Sequence, residues 1–369
     1  MDGLKTSRRG LLKLGGAAAF TAAAGAGAVT ALPAVADDEA PPASFHLGSY
    51  TSAGGPGIAH GRLDPATGAL TVEAATAAIA EPSWLAPSPA GSILYAISEQ
   101  EAGTVSALTP ELTVLNTVPT GNGPAHVAVH PGGSFLFVSL YGGGAVVTHP
   151  IGADGTVGAA TDVRRQGGPG KTSHAHQVVV DPLGTYVLSV DLGRDAVFTY
   201  TLDAQNGKLS KVARTALAPG SGPRHLAFHP SGGIAYVACE LDSTVTVCEW
   251  SEGVLKPGQV IAAARESDVR NYPGEIAVSP DGKHVYVSNR GANTVGVFAT
   301  GDDGATLTPA AAPGTGGDWP RHLALDPTGR RLYVANQRSG TVTWLPLTDG
   351  VPGAVAGSLA VPGVAQVLL

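Results

Sequence analysis

The sequence reads GPRHLAFHPSGGIAYVACELDSTVTVCEW at residues 222–250 and returns as WPRHLALDPTGRRLYVANQRSGTVTWLPL at residues 319–347. The same pattern recurs at intervals of about 42 to 50 residues, which is the repeat length of β-propeller blades. Its copies begin at Pro82, Pro124, His174, Pro223, Pro273 and Pro320. The fold class and the place of a candidate site both follow from this period.

Each copy predicts short antiparallel strands. An apolar run such as residues 226–228 leads to a Pro-x-Gly turn and then to a β-branched and aromatic run such as residues 285–288. Proline presets φ near −65° and glycine tolerates positive φ, which suits a tight reversal. An alternating run such as residues 294–298 follows, and period-two alternation between turn residues predicts a strand. One repeat therefore predicts one blade of about four strands.

The blades add up to seven. Residues 45–51, Ile58–Leu63 and Leu70–Thr76 have the pattern of the second to fourth strands of a blade that lacks its first strand. Residues 362–367 supply that strand when Pro362 is aligned with Pro320. We therefore predict an all-β, seven-bladed β-propeller in a single domain, residues 37–369. Strands from both termini close the ring, which leaves no exposed sheet edge.

Composition narrows the classes of function. The 51 glycines and 28 prolines are about a fifth of the 369 residues, a share typical of a turn-rich all-β protein rather than a disordered chain. Charged residues make up only 14%, and no basic run is suited to nucleic acid. We expect a monomer with a small-molecule partner and no nucleic-acid partner.

The first 36 residues differ from the rest of the chain. Arg8 and Arg9 precede a mildly apolar Ala/Gly-rich stretch, and Ala34-Val35-Ala36 offers the small residues of a cleavage site. A twin arginine before a weakly apolar segment is typical of a twin-arginine export signal. A disordered basic tail and an uncleaved anchor are the alternatives. We predict that residues 1–36 are removed and that the mature chain is periplasmic or extracellular, without membrane contact after cleavage.

The chain contains two cysteines, Cys239 and Cys248, and an even number in an exported protein allows a disulfide. A two-residue turn at Asp242-Ser243 places Cys239 opposite Thr246, with Cys248 diagonal to it on the same face. A disulfide needs Cα atoms within about 7 Å, a distance that this arrangement stretches. We therefore predict two reduced, half-buried thiols.

Polar residues fill two rows of aligned positions. Because the first two strands of a repeat are antiparallel, the start of the first and the end of the second share a rim. The starts carry Trp84, His126, His176, His225, Glu275 and His322, preceded by Ser83, Ala125, Ala175, Arg224, Gly274 and Arg321. The ends carry Glu99, Tyr141, Asp191, Glu240, Arg290 and Gln337. Solvated turn residues are one interpretation, but variation confined to one rim of a regular repeat favours a functional site.

The rim residues indicate a chemistry. One mouth of the central channel would be cationic, since it would contain Arg224, Arg290 and Arg321. Guanidinium groups bind carboxylate or phosphate through paired hydrogen bonds. An anionic small molecule is therefore the expected ligand. Glu240 and His176 offer acid–base capacity, and Arg224 or Arg290 an oxyanion contact. The chain has no Gly-x-Ser-x-Gly motif and neither cysteine aligns with a histidine, which favours direct attack by water.

Ordered motifs along the mature chain resemble one known family. They are Ser173-His174-Ala175-His176, Asp191-Leu192-Gly193-Arg194-Asp195, Gly222-Pro223-Arg224-His225-Leu226-Ala227-Phe228, Glu240-Leu241, Ser288-Asn289-Arg290-Gly291 and Ala335-Asn336-Gln337. These motifs are similar to those of the seven-bladed propeller lactonases, a family that includes 6-phosphogluconolactonases and fungal carboxy-muconate cyclases. The resemblance implies an enzyme that opens or forms a lactone without a metal or other cofactor.

The resemblance also implies residue roles. The proposed catalytic residues of the family fall on His176, Arg224, Glu240 and Arg290. Our candidate substrate-binding residues are His126, Asp191, His225, Glu275, Arg321 and His322. The leading hypothesis is hydrolysis of an anionic or sugar-derived lactone by water that Glu240 or His176 activates, with an arginine at the carbonyl oxygen.

Other functions stay open at this stage. A muconate-type lactonizing cyclase would use the same residues on a dicarboxylate and would need no water. A secreted binding propeller would keep the site without turnover. A calcium- or zinc-dependent lactonase is disfavoured, because the four rim histidines are spread over four blades rather than held at ligand spacing.

Overall fold

The computed structural model describes residues 43–265 and 269–369, which form seven antiparallel sheets. Blades 1 to 4 contain β1 Ala43–Ser49, β2 Ile58–Leu63 and β3 Leu70–Thr76; β4 Leu85–Pro87, β5 Leu94–Ser98, β6 Gly103–Leu108 and β7 Val114–Gly121; β8 Pro124–Val129, β9 Phe135–Leu140, β10 Ala145–Pro150 and β11 Asp162–Arg165; and β12 Ala175–Val180, β13 Tyr186–Asp191, β14 Ala196–Asp203 and β15 Lys208–Ala216.

Blades 5 to 7 contain β16 Pro223–Phe228, β17 Ile234–Cys239, β18 Thr244–Ser251 and β19 Val254–Ala262; β20 Tyr272–Val278, β21 His284–Arg290, β22 Thr294–Gly301 and β23 Thr306–Ala311; and β24 Pro320–Leu325, β25 Arg331–Asn336, β26 Thr341–Thr348, β27 Val351–Pro352 and β28 Gly357–Ala360. The last strand, β29 Val364–Leu368, belongs to blade 1. Short 3₁₀ turns lie at Thr51–Ala53 and Asp302–Gly304.

The innermost strands form a closed ring. They contact one another in the cyclic order β4, β8, β12, β16, β20, β24, β29 and back to β4. The predicted all-β, seven-bladed propeller is therefore confirmed. A predicted Pro-x-Gly turn is seen between β16 and β17, where Gly232 has φ +76° and the His229 amide donates to the Ile234 carbonyl at 2.8 Å.

Blade 1 is closed by both ends of the propeller, as predicted. β29 pairs antiparallel with β1, and Leu47 lies opposite Val367. The alignment of Pro362 with Pro320 is wrong by two residues. Val364 takes the structural position of Pro320, since each opens its strand just before a register shift. The alignment matched the two prolines, but Pro320 opens β24 whereas Pro362 precedes β29.

Both cysteines are free thiols, as predicted, but their predicted register is wrong. Cys239 lies opposite Thr244 and Cys248 opposite Ala235, which separates the cysteines by four residues along the sheet. Both side chains are fully rather than half buried. Burial raises the pKa of Cys239 to about 11 and that of Cys248 to about 12, so neither is a ready nucleophile.

The predicted signal peptide, residues 1–36, lies outside the described residues and stays a prediction. Within residues 43–265 and 269–369, no helix has the length and apolar character needed to cross a membrane.

Buried tyrosines join neighbouring blades. Four tyrosines on the second strands, fully buried, donate their hydroxyl protons to a glycine carbonyl in an outer turn of the next blade. The pairs are Tyr95 with Gly155 at 3.1 Å, and Tyr236 with Gly304, Tyr286 with Gly350 and Tyr333 with Gly68, each at 2.7 Å. We call these contacts tyrosine latches. At each of these four interfaces, whose other contacts are mainly apolar, the latch gives the buried tyrosine hydroxyl a hydrogen-bond partner.

Tyr236→Phe is expected to lower the free energy of unfolding by about 1–2 kcal/mol, because it leaves the Gly304 carbonyl without its hydrogen bond. Urea unfolding measures the change. Tyr186→Phe is the matched control, since no hydrogen bond to the Tyr186 hydroxyl is found in the described residues. Equal stability of Tyr236→Phe and the wild type would contradict the latch.

Candidate functional site

A β-bulge opens the innermost strand of a blade. In blade 5, Pro223 pairs with Cys239 and His225 pairs with Ala238, so Arg224 is an extra, unpaired residue. Strict alternation would send Arg224 and His225 to opposite faces, but a bulge re-aims a side chain. We call the extra residue the bulge position and the next residue the ring position.

The same irregularity recurs in blades 1, 3, 4, 6 and 7, and blade 2 follows it in sequence. From blade 1 to blade 7, the bulge positions hold Ala365, Ser83, Ala125, His176, Arg224, Gly274 and Arg321. The ring positions hold Gln366, Trp84, His126, Gln177, His225, Glu275 and His322. The predicted rim positions are thus correct in five of the six repeats that were aligned from the sequence, and blade 4 is the exception.

The predicted alignment of blade 4 is wrong by one residue. His176 occupies the bulge position, as Arg224 does, whereas Gln177 occupies the ring position. The Gln177 side chain accepts a hydrogen bond from the Leu226 amide at 2.7 Å and donates to its carbonyl at 3.3 Å. The sequence alignment matched His176 with His225 because both are histidines. In the structure, the number of residues between the bulge position and the Pro-x-Gly turn is the same in both blades.

Asp191 is displaced by the same error. It pairs with Ala175, so the residue after it, Leu192, takes the position that Glu240 has in blade 5. Its buried carboxylate accepts hydrogen bonds from the Ser173 hydroxyl and from the backbone amides of His174 and Arg194. Asp191 therefore stabilises a turn of blade 4, and the described contacts do not join its carboxylate to the other candidate residues.

Three side chains from blades 4, 5 and 6 form a buried hydrogen-bonded line. His225 Nδ1 lies 2.9 Å from Glu275 Oε2, and His225 Nε2 lies 3.1 Å from His176 Nδ1. His322 Nε2 approaches the same Glu275 oxygen at 3.6 Å. His225 is fully buried, and the other members are nearly so. The line thus runs from Glu275, at the ring position of blade 6, to His176, at the bulge position of blade 4.

Trp84 packs against the histidines of the ring. Its ring centroid lies 4.1 Å from that of His126, 5.2 Å from that of His225 and 5.1 Å from that of His322. His126 Nδ1 is buried without a hydrogen-bond partner in the described residues. The predicted residues His126, His225 and His322 are therefore brought together, around an indole that excludes water from them.

Glu240 lies between two arginines. Its Oε2 is 2.8 Å from Arg290 Nη2 and 3.4 Å from Arg224 Nε. Arg290 also donates to the carbonyls of Tyr272 at 3.0 Å and Pro273 at 2.9 Å, which fixes its guanidinium. The structure therefore assembles three of the four predicted catalytic residues in one ion-pair group.

Arg224 keeps one unused donor. Its Nη1 donates to the Gly274 carbonyl at 2.6 Å, which anchors the side chain across the interface with blade 6. Its Nε contacts Glu240 at ion-pair distance, but the geometry is not that of a hydrogen bond, and the buried N–H has no acceptor among the residues that the structure describes. A buried, oriented donor of this kind suits an oxygen that gains negative charge during a reaction.

The three arginines of the mouth are paired with only two carboxylates, so one positive charge of the predicted cationic mouth is left without a partner of its own. Arg321 Nη2 lies 3.7 Å from Glu99 Oε2, and Tyr50 donates to the same oxygen at 2.7 Å. With Glu240 beside Arg224 and Arg290, each of the three arginines already has a carboxylate partner. An anionic ligand would have to compete with these carboxylates.

Sequence reasoning missed Tyr50. Ser49 pairs with Val364 just as Cys239 pairs with Pro223, so Tyr50 occupies in blade 1 the position that Glu240 has in blade 5. The same row of aligned positions extended to blade 1 would have found it. Burial raises the pKa of the Tyr50 hydroxyl well above its usual value, so it serves as a neutral donor to Glu99.

Burial keeps the histidines at the bulge and ring positions neutral. Desolvation lowers the pKa of His126, His176 and His225 well below 6.5, and nearby cationic or imidazole groups lower it further. The pKa of His322 falls to about 4 for the same main reason, although Glu275 opposes the change. At neutral pH these rings therefore donate through one nitrogen and accept through the other.

The two buried glutamates respond in opposite ways. Burial tends to raise the pKa of Glu240, but Arg290 and Arg224 outweigh it, and the net pKa is lowered. Burial raises the pKa of Glu275, against a smaller opposing effect of His322. Burial, and then Arg290 and Arg321, lower the pKa of Arg224 to about 9, so it stays a cation at neutral pH. One glutamate is thus an anion, and the other is closer to accepting a proton.

No group of three or more His, Cys, Asp or Glu side chains within the described ranges has an arrangement that could hold a metal ion.

Comparison with known proteins identifies the family. The family model "Lactonase, 7-bladed beta-propeller" matches residues 44–368. The chain belongs to the seven-bladed β-propeller lactonase family. It is 32% identical to a 6-phosphogluconolactonase of Bacillus subtilis over 289 residues, which cover 74% of this chain and 82% of that protein.

Solved structures agree with this membership of the propeller lactonases. A periplasmic gluconolactonase of Pseudomonas aeruginosa superposes with a TM-score of 0.82 at 28% identity, covering 88% of this chain and 98% of that one. A protein from Lactobacillus plantarum superposes with a TM-score of 0.83 at 31% identity, covering 89% and 99% respectively. The predicted family is therefore confirmed, and the site described above lies in a lactonase propeller.

Lowering the pH from 7 to 5 is expected to destabilise this lactonase propeller. Folded His126 stays neutral, whereas the unfolded residue binds a proton below its ordinary pKa of 6.5. Stability is therefore lost as the pH falls through 6.5, by at most about 1.4 kcal/mol per pH unit for one histidine. Urea unfolding at both pH values should show a smaller loss in His126→Phe, by up to about 2 kcal/mol. Equal losses in the two proteins would contradict the shift.

Proposed function

We propose that this chain hydrolyses a sugar-derived lactone, with His176 as the general base and Arg224 as the oxyanion donor. One observation carries the proposal: an imidazole nitrogen able to accept a proton shares a buried mouth with a guanidinium N–H that lacks an acceptor. His176 Nε2 has no hydrogen-bond partner in the described part of the chain. Hydrolysis needs both groups, one for the water and one for the carbonyl oxygen.

The geometry favours His176 over Glu240 as the base. Glu240 is paired with Arg290 at 2.8 Å and with Arg224 at 3.4 Å, and the two cations lower its pKa. Glu240 Oε2 is thus committed to ion pairs, whereas His176 Nε2 has no hydrogen-bond partner among the described residues and can contact the attacking water. We assign Glu240 the role of holding the arginines in place, with Arg290 as a second cation beside the substrate.

The reaction follows from these roles. Water attacks the lactone carbonyl while His176 Nε2 takes one of its protons, and the carbonyl oxygen becomes an oxyanion against Arg224 Nε–H. The carbonyl re-forms as the bond to the ring oxygen breaks. The ring oxygen leaves as a hydroxyl group after it receives the proton from His176. The product is an open-chain hydroxy acid, which ionises at neutral pH and releases one proton.

We propose an unphosphorylated aldonolactone as the substrate. Arg224 and Arg290 share Glu240, and Arg321 is paired with Glu99, so two carboxylates already offset most of the positive charge that would attract a phosphate. The similarity to the periplasmic gluconolactonase supports this choice, whereas the relatives named 6-phosphogluconolactonase make the phosphorylated lactone the alternative to test.

The mature chain, from Asp37, should release protons from glucono-1,5-lactone above the spontaneous rate, and more efficiently than from its 6-phosphate. Arg224→Lys should lower kcat by about 10²-fold, because a lysine cannot present the Nε–H donor. A pH-stat measures the release. Arg62→Lys is the matched control, an exposed arginine paired with Glu73 on the outer strands. Release from no lactone by folded protein would overturn the function, and an unchanged kcat in Arg224→Lys would overturn its role.

We also propose that the enzyme is exported by the twin-arginine pathway. The pair Arg8-Arg9 and the small residues Ala34-Val35-Ala36 support this assignment. The full chain should be recovered outside the cytoplasm and shortened by 36 residues, whereas the double variant Arg8→Lys, Arg9→Lys should stay inside at full length. Immunoblots of cell fractions measure both. Export of the double variant would contradict the pathway.

A further inference from the structure

We propose that His176, His225 and Glu275 form a proton relay, in which Glu275 finally receives the proton that His176 takes from the attacking water. Sequence alignment placed His225 and Glu275 among the substrate-binding residues. The relay makes them positioning residues that act through His176 instead. This inference rests on the proposed lactone hydrolysis.

The geometry of the line carries the inference. Glu275 Oε2, both ring nitrogens of His225 and His176 Nδ1 are joined by contacts of 2.9 and 3.1 Å, and no other hydrogen bond among the described residues uses these nitrogens. Only His176 Nε2 remains for the mouth. The three residues come from three successive blades and are at most 7% exposed. Water therefore has little access along the line.

The hydrogen bonds fix the tautomers. When Glu275 is ionised it can only accept, so His225 Nδ1–H donates to it and His225 Nε2 becomes an acceptor. His176 must then donate through Nδ1–H, which leaves a lone pair on His176 Nε2. The resting line therefore presents a base to the mouth without any charged imidazole.

Electrostatics explains why the proton should travel. The charged and titratable groups facing the line are Arg224, Arg290 and Arg321, the imidazoles of His126 and His322, the Tyr141 phenol, and Glu275 itself. Burial and the three arginines make an imidazolium costly at His176 and at His225. Burial makes Glu275 more ready to be protonated, since a neutral carboxyl needs no counter-charge there. The proton is thus most stable on Glu275, at the end of the line opposite His176.

The transfer balances at each atom. A water proton bonds to His176 Nε2 as the His176 Nδ1–H proton passes to His225 Nε2, and the His225 Nδ1–H proton passes to Glu275 Oε2. Each imidazole ends neutral in its other tautomer, Glu275 ends as a carboxylic acid, and the hydroxide bonds to the lactone carbonyl. The reverse transfer returns one proton to the departing ring oxygen and restores the resting line.

Glu275→Gln tests the relay, because the amide keeps the size and the hydrogen bond to His225 but cannot take up the proton. We expect kcat on the best lactone to fall by about 10²-fold with KM changed less than about twofold. The fall should persist across pH 6 to 9, since it removes an acceptor rather than shifting its pKa. Glu249→Gln, an exposed acid on the outer part of blade 5, is the matched control and should keep full activity.

The outcomes separate the roles. A raised KM with unchanged kcat would make Glu275 a substrate-binding residue and overturn the relay, and so would unchanged kinetics. Nitrogen-15 NMR of the imidazoles in the wild type, without substrate, gives a second measurement that does not depend on activity or on the folding of a variant. His176 and His225 should both be Nδ1–H tautomers at pH 7. Nε2–H tautomers would overturn the relay even if lactone hydrolysis is found, whereas Nδ1–H tautomers in a protein without lactonase activity would mean that only the proposed function fails.

Discussion

The site depends on one extra residue at the start of each innermost strand. Consecutive side chains of a regular strand point to opposite faces. Each of seven regular inner strands would therefore place only one of two neighbouring side chains at the mouth of the channel. The bulge lets two neighbours serve the mouth, as Arg224 and His225 do in blade 5. A guanidinium and an imidazole from one strand thereby reach the same site, where Arg224 contacts Glu240 of its own blade and His225 contacts Glu275 of the next blade.

This packing makes two glutamates of the same chain chemically different. Glu240 lies between guanidinium groups and is held as an anion, whereas Glu275 lies among imidazoles and is shifted towards its neutral form. Pairs of acids whose environments separate their pKa values are a common way to divide acid and base roles. The histidines between them stay uncharged because burial and the arginines oppose protonation. The mouth thus combines a fixed ion-pair group with a line of neutral, hydrogen-bonded rings.

The fold could be predicted from sequence because period, turn chemistry and alternation all agree on it. Seven blades and closure by both termini follow from the spacing of the Pro-x-Gly turns and the missing first strand of blade 1. The site was predicted less well, since a bulge breaks the alternation on which register arguments rest. His176 and Asp191 were therefore each placed one position away. Glu99 was correctly placed on the rim, but spacing alone could not show that it pairs with Arg321.

The closure of blade 1 also has a consequence for the order of events during synthesis. β29 follows every other strand in the chain, yet it pairs with β1, the first strand of the propeller. A nascent chain can form blades 2 to 7 as they emerge, but β1 must wait with an unpaired edge until the whole ring has been made. Since the mouth needs all seven inner strands around it, it is the last part of the propeller to form. A ribosome-bound chain would therefore hold the side chains that we propose for catalysis without an enclosed site.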